Sequence, residues 1–120
     1  MKTLRAVLLI VTALLALPAR AVDGNELYKW GTQWKQSDAQ RAQDAGSYAG
    51  YVQGFIDLHR DLSDPEIGML KMRLFCLPAR TQLDQVLDVV FRYLEGHPEK
   101  RRFTGSSLVS AALWGAFPCD

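Results

Sequence analysis

The sequence predicts an all-α fold, a small bundle of about four helices closed by one disulfide. Apolar residues recur at spacings of three and four along most of the chain, and no segment shows the alternation typical of strands. There are two cysteines, an even number that favours a single bridge. The 48% hydrophobic content and only five prolines in 120 residues exclude a wholly disordered chain and indicate one globular domain.

The first 21 residues have the features of a secretory signal peptide. A basic start precedes an apolar stretch at residues 6–17, and Ala19 and Ala21 supply the small residues of a cleavage site. The apolar stretch is shorter than the roughly 20 residues that a membrane-spanning helix needs, which disfavours the alternative of an uncleaved anchor. We therefore expect residues 1–21 to be removed, and a single domain at residues 22–120 to be exported to the periplasm.

Export changes the charge and the redox setting of the domain. The whole chain carries a net charge of +1, and loss of Lys2, Arg5 and Arg20 leaves 11 basic and 13 acidic residues. This balance excludes the strongly basic surface expected of a nucleic-acid binder and argues against binding to an anionic membrane. An oxidising compartment favours a disulfide between Cys76 and Cys119.

Two helices are predicted in the first half of the domain. Leu27, Trp30 and Trp34 share one face of a short helix at residues 25–35. A capping box, Ser37 followed by Gln40, then begins a longer helix that ends at Leu62.

Three glycines mark one face of the second helix. Gly46, Gly50 and Gly54 lie four residues apart, and each costs roughly 1 kcal/mol relative to alanine in a helix. Either a kinked or broken helix or a groove that a neighbouring group approaches closely would account for them. We take the close-packed groove as the hypothesis to test.

The segment from Ser63 to Pro78 lacks a clean period. Ser63-Asp64-Pro65 ends the second helix, and four apolar residues follow among charged ones: Ile67, Met69, Leu70 and Met72. Filling of the local core is one role for them. The other is an adaptable contact surface, which suits exposed methionines and makes the four candidate partner-binding residues.

Two more helices are predicted after Pro78. Thr81 is expected to cap the third, and Gly96 to end it with a left-handed residue before Pro98. Thr104 or Ser106 begins the fourth. The expected buried faces are Leu83, Val86, Leu87, Val90, Phe91 and Leu94 on the third helix, and Leu108, Val109, Ala112, Leu113, Ala116 and Phe117 on the fourth.

The chain offers no set of catalytic, cofactor-binding or metal-ligating residues. His59 and His97 are the only histidines, and neither has partners at metal-ligand spacing, so satisfied or solvated histidines are expected. A Cys76 thiol nucleophile with His97 is disfavoured because an exported cysteine pair is usually oxidised. The carboxylate pairs Asp57/Asp61 and Asp84/Asp88 are typical of solvated helix faces. The basic run at residues 100–102 is expected to be a soluble loop.

Four motifs, in order, resemble the Rap/Tai immunity proteins, antidotes of type VI secreted peptidoglycan amidases. They are Gly50-Tyr51-Val52-Gln53-Gly54-Phe55-Ile56-Asp57, Phe75-Cys76-Leu77-Pro78, Tyr93-Leu94-Glu95-Gly96-His97-Pro98-Glu99, and Leu108-Val109 with Ala112-Leu113 and the terminal Ala116-Phe117-Pro118-Cys119. Many relatives carry two further cysteines, and here Tyr48 stands at the position of one of them. Loss of that pair leaves Cys76 and Cys119.

The resemblance implies an exported helical protein, often a homodimer, without catalytic activity or cofactors. It implies binding to a cell-wall amidase toxin in the periplasm and blockage of its active-site cleft. The alternatives are a small periplasmic stress chaperone, which would lose its dimer in acid, or an orphan binding protein.

Overall fold

The computed structural model describes Met1, residues 19–36 and residues 42–120. These residues form four α-helices and one short 3-10 helix: α1 (Gly24–Gln36), α2 (Ala42–Leu62), α3 (Leu83–Gly96), the 3-10 helix Pro98–Lys100, and α4 (Gly105–Ala116). Within them the only β pairing is an isolated bridge between Asp23 and Thr104, so the predicted all-α class is confirmed. Most of the signal segment and the Ser37 capping box lie outside the described residues. None of the described helices combines the length and apolarity needed to cross a bilayer.

The core is a single cluster to which all four helices contribute. Helix α1 packs chiefly on α2 and α3, and α4 packs on α3. The predicted apolar faces of α3 and α4 are buried except at three positions: Leu83 and Ala116 are exposed at the helix ends, and Phe117, the C-cap of α4, is half-buried. The fully buried large side chains are Leu27, Tyr48, Val52, Val86, Val90, Leu94, Val109 and Leu113.

Aromatic rings join α1 to its two neighbours. Trp34 packs on Tyr48 of α2 with ring centroids 5.5 Å apart, and Tyr28 stacks on Phe91 of α3 at 5.6 Å. The Tyr48 hydroxyl donates a 2.6 Å hydrogen bond to the carbonyl of Leu87, so its polar atom is satisfied inside the core. Burial, with the nearby Asp88 carboxylate as a smaller contribution, raises the pKa of Tyr48. The ring therefore stays neutral and serves as a hydrogen-bonded core residue.

The glycine-face hypothesis is wrong. Helix α2 is continuous, and a Cβ added at Gly46, Gly50 or Gly54 would have open space around it. The close approach falls at Gly31 of α1 instead, where an added Cβ would lie 2.8 Å from the Phe91 ring. Helical spacing showed correctly that the three glycines share a face, but spacing carries no information about what covers that face.

Two helix ends also differ from expectation. Gln82, not Thr81, is the N-cap of α3, and the side-chain oxygen of Gln85 accepts a 3.0 Å hydrogen bond from the Gln82 amide. Helix α3 does end at Gly96, but without a left-handed residue: the cap is His97, with φ at −130°. Thr104 is the N-cap of α4, in agreement with the first of the two predicted starts.

Candidate interaction surface

The long connection between α2 and α3, residues 63–82, carries five of the ten exposed large apolar side chains of the described residues. Ile67 and Met69 are each 80% exposed, Met72 is 70% exposed, and Leu70 and Leu74 are 40% exposed. Trp114, on the last turn of α4, is 67% exposed. We call these six side chains the apolar patch. Local core filling is therefore wrong for Ile67, Met69, Leu70 and Met72, and their role as a contact surface stays a prediction.

The first half of this connection is a tightly hydrogen-bonded turn. One carboxylate oxygen of Asp64 accepts hydrogen bonds from the amides of Glu66 (2.8 Å) and Ile67 (3.1 Å), which lowers the pKa of that carboxyl. The amide of Gly68 donates to the Asp64 carbonyl at 2.9 Å, and the amide of Leu70 donates back to Leu62 at 2.8 Å. A Cβ at Gly68 would lie 2.3 Å from the Leu62 carbonyl oxygen, so only glycine fits there.

His59 of α2 holds the second half of the connection. Its Nε2 accepts a 3.0 Å hydrogen bond from the amide of Leu74, and the Ser63 hydroxyl lies 3.4 Å from the same nitrogen. The ring stacks on Phe75 with centroids 4.0 Å apart and is buried. Burial, and secondly the positive charge of Arg73, lower the pKa of His59. His59 is thus a satisfied histidine, one of the two alternatives that the sequence left open.

The disulfide joins the end of this segment to the end of α4, as predicted. Cys76 and Cys119 are bonded with their Cα atoms 5.0 Å apart, and the Cys76 amide donates to the Phe117 carbonyl at 2.8 Å. This attachment brings the chain just before Cys76 alongside the last turns of α4. The result is a shallow cavity of about 280 Å³ lined by Met72, Arg73, Leu74, Ser110 and Trp114.

A second cavity, of about 350 Å³, lies between the end of α2 and the inner side of the same connection. Its charged lining residues are Arg60, Asp64 and Arg73, and His59 and Phe75 form part of its wall. The apolar patch and this mixed-charge cavity are therefore both built on the segment that His59 and the disulfide anchor.

Cys76, His97 and Asp88, which the sequence offered as candidates, are each engaged in other contacts. Cys76 is oxidised, so it has no thiol for His97, whose Nδ1 lies instead 2.7 Å from the carbonyl oxygen of Tyr93. Asp88 binds Lys35 and Arg92, which lower the pKa of its carboxyl, with the Lys35 hydrogen bond as the largest cause. Among the described residues, no three His, Cys, Asp or Glu side chains converge as a metal site would require.

Sequence reasoning found four of the six patch residues but missed Leu74, Trp114 and the role of His59. Trp114 had a detectable signal, because it falls on the polar side of the α4 stripe between Leu113 and the exposed Gly115. The hydrogen bond from Leu74 to His59 spans 15 residues and depends on how the connection folds back, so local spacing gave no sign of it.

Comparison with known proteins identifies the family. The family model described as Rap1a immunity proteins matches residues 23–119, nearly all of the expected mature domain. No curated protein and no solved structure matches the chain. The matched region contains all four helices, the disulfide and the apolar patch. The chain therefore belongs to the Rap1a immunity proteins.

Proposed function

We propose that this immunity protein acts in the periplasm, where residues 22–120 bind a secreted peptidoglycan amidase and block its active-site cleft. The single observation that carries the proposal is the apolar patch on its anchored connection. Two backbone amides, a buried imidazole and a disulfide fix the course of this segment, yet five of its apolar side chains are exposed to solvent. A fixed surface of this kind gains free energy from apolar burial without a large ordering cost when a partner covers it.

The exposure of the connection supports contact with a toxin. Ile67, Met69 and Met72 are 70–80% exposed, so a partner can reach all three side chains. Methionine side chains adapt to an irregular wall, and Trp114 provides a large rigid anchor beside Met72. A tight complex buries about 1,600 Å² in total, and a homodimer, which we propose as the acting form, presents that area more readily than one small domain.

The export step and the signal peptide are part of the proposal. The disulfide supports an oxidising location, since such bonds persist outside the reducing cytosol. The direct test is co-expression of the full chain with a periplasmic cell-wall amidase toxin encoded beside its gene. We expect survival with the full chain and lysis with residues 22–120 retained in the cytoplasm. Survival with the cytoplasmic form, or lysis despite verified export, contradicts the proposal.

A matched pair of substitutions locates the surface. Trp114→Ala removes the largest side chain of the patch, and we expect it to weaken toxin binding by about 30-fold or more, the loss typical of an interface hot spot. Phe103→Ala, at the other end of α4, removes a ring that is also about half exposed (49%) but lies outside the patch, and should leave affinity unchanged. Isothermal titration of both variants gives the comparison; equal losses from the two would place the toxin elsewhere.

A further inference from the structure

We propose that His59 is the positioning residue of the apolar patch: its neutral imidazole accepts the Leu74 amide and so holds Met72 and Leu74 beside Trp114, and its protonation releases them. The positioning role follows from the geometry alone. Only its importance for toxin binding rests on the proposed function.

The geometry defines which tautomer is needed. Because Nε2 accepts the 3.0 Å hydrogen bond from the Leu74 amide, the ring proton of the neutral imidazole is on Nδ1. Protonation places a second proton on Nε2, and two donors then face each other at this distance. Leu74 loses its acceptor, and the chain immediately on the N-terminal side of Phe75 loses its hydrogen bond to α2, while the Phe75 ring remains packed against Phe55 and His59.

The surroundings of the ring favour its neutral form. Burial against Phe75 removes water from the imidazole, and Arg73 from the connection adds a positive charge; together they lower the pKa of His59. Arg60 on α2 also lines the adjoining cavity. The one acid there, Asp64, has a carboxylate oxygen occupied by the amides of Glu66 and Ile67. From α4, the disulfide contributes no titrating group.

The sign of the pH dependence follows. A histidine whose pKa is lower in the folded than in the unfolded chain contributes fully to stability above pH 6.5 and loses that contribution as the pH falls below this value. The same protonation breaks the Leu74 hydrogen bond, so the patch is held at neutral pH and released in acid. A periplasmic protein is exposed to external acid, so in the proposed location His59 would be protonated when the surroundings become acidic.

The test needs no toxin. In 15N-labelled residues 22–120, the His59 ring resonance, the exchange protection of the Leu74 amide and the Trp114 indole resonance are followed from pH 8 to pH 5. We expect Leu74 protection to fall about tenfold or more as His59 becomes charged, with a coincident shift at Trp114. A His59 that titrates at its ordinary pKa, or Leu74 protection that stays constant while His59 titrates, overturns the proposal.

Three variants separate positioning from packing. His59→Gln supplies an amide oxygen that accepts without titrating, so Leu74 should be protected at every pH. His59→Phe keeps a ring on Phe75 without an acceptor, so Leu74 should be unprotected throughout. His97→Gln changes the other histidine and should leave the acid response intact. Wild-type protection in His59→Phe would contradict the proposal; if that variant does not fold, His59→Gln and the wild-type titration still decide.

A last measurement separates this inference from the proposed function. Affinity for the co-encoded amidase is measured at pH 7.5 and pH 5.5 for the wild type and His59→Gln. We expect a loss in acid for the wild type only. Absence of binding at both pH values would reject the proposed function and leave the Leu74 result standing, whereas equal acid losses for both proteins would show that His59 does not position the binding surface.

Discussion

The loop between α3 and α4 and the connection between α2 and α3 are both fixed by backbone hydrogen bonds, but the former packs Arg101 on α1 whereas the latter exposes five apolar side chains. In the α3–α4 loop, Phe103 and Arg101 accept bonds from the amides of Gly24 and Asn25, at 2.9 and 3.1 Å. The Arg101 guanidinium lies 3.5 Å from the centre of the Tyr28 ring. This loop directs its key side chain inward, onto α1.

The α2–α3 connection is also anchored by hydrogen bonds, but apart from Phe75 and Leu77, which pack on the core, it directs its large apolar side chains outward. Its inward contacts come from the Phe75 ring and from Asp64, Gly68, the Leu74 amide and Cys76. The exposed apolar side chains at positions 67, 69 and 72 take no part in these contacts. From this difference we expect substitutions in the α3–α4 loop to change the stability of the fold. Substitutions at the exposed positions of the α2–α3 connection should instead change the affinity for a partner.

The largest loss of stability is expected from removal of the disulfide, which attaches the α2–α3 connection to the chain just after α4. Replacing Cys76 and Cys119 together with serine opens a link with a sequence separation of 43, and the chain-entropy model gives a loss of about 4 kcal/mol. Urea denaturation of the variant and the oxidised wild type measures it. A loss below about 1 kcal/mol would show that the hydrogen bond from Cys76 to Phe117 already fixes the two ends.

Arginine substitutions compare the two loops directly. Arg101→Ala removes hydrogen bonds to the Leu94 carbonyl (2.7 Å) and the Glu95 carbonyl (3.3 Å), both at the end of α3, together with the stacking on Tyr28. We expect about 2 kcal/mol of destabilisation, since charged hydrogen bonds at a helix end are among the stronger polar contacts. Arg73→Ala, on the exposed connection, should change the free energy of unfolding by less than about 0.5 kcal/mol. Equal losses of stability from the two substitutions would contradict the distinction between the two loops.

Glycine substitutions sharpen the contrast between covered and open positions. Gly31→Ala places a Cβ 2.8 Å from Phe91 and 3.2 Å from Tyr48, and we expect a net loss of about 1–2 kcal/mol from overpacking. Gly50→Ala meets open space and should raise stability by up to about 1 kcal/mol through helix propensity. Thermal unfolding of both variants shows whether each substitution raises or lowers the stability. A destabilised Gly50→Ala would indicate that a second molecule covers this face of α2.

The smallest effect on stability is expected at the tip of the connection. Met69→Ser, at a side chain that is 80% exposed, should shift the free energy of unfolding by less than about 0.5 kcal/mol. It should nevertheless reduce protection in the toxin co-expression assay. Leu58→Ser, 57% exposed on α2, is the matched control and should protect fully. Unchanged protection by Met69→Ser would exclude the tip from the binding surface.

The sequence predicted the helices well because their signals are local. The stripe from Val86 to Leu94 and the stop at Gly96 depend only on neighbours along the chain. What it could not predict are features defined by distant partners. The closeness of Gly31 to Phe91 and the stacking of Arg101 on Tyr28 each join residues more than 50 positions apart. The basic run at residues 100–102 accordingly was expected to be a solvated loop, although Arg101 lies half-buried over an aromatic ring.

The anchoring of the α2–α3 connection also bears on how such a protein changes partners over evolutionary time. Its course depends on an Asx turn at Asp64, a close approach at Gly68, an acceptor at His59 and a disulfide at Cys76. The side chains at positions 67, 69 and 72 project away from these supports. On the binding surface proposed above, mutations at these positions would alter recognition at little thermodynamic cost, so a lineage could explore new specificities without first acquiring compensating mutations in the core.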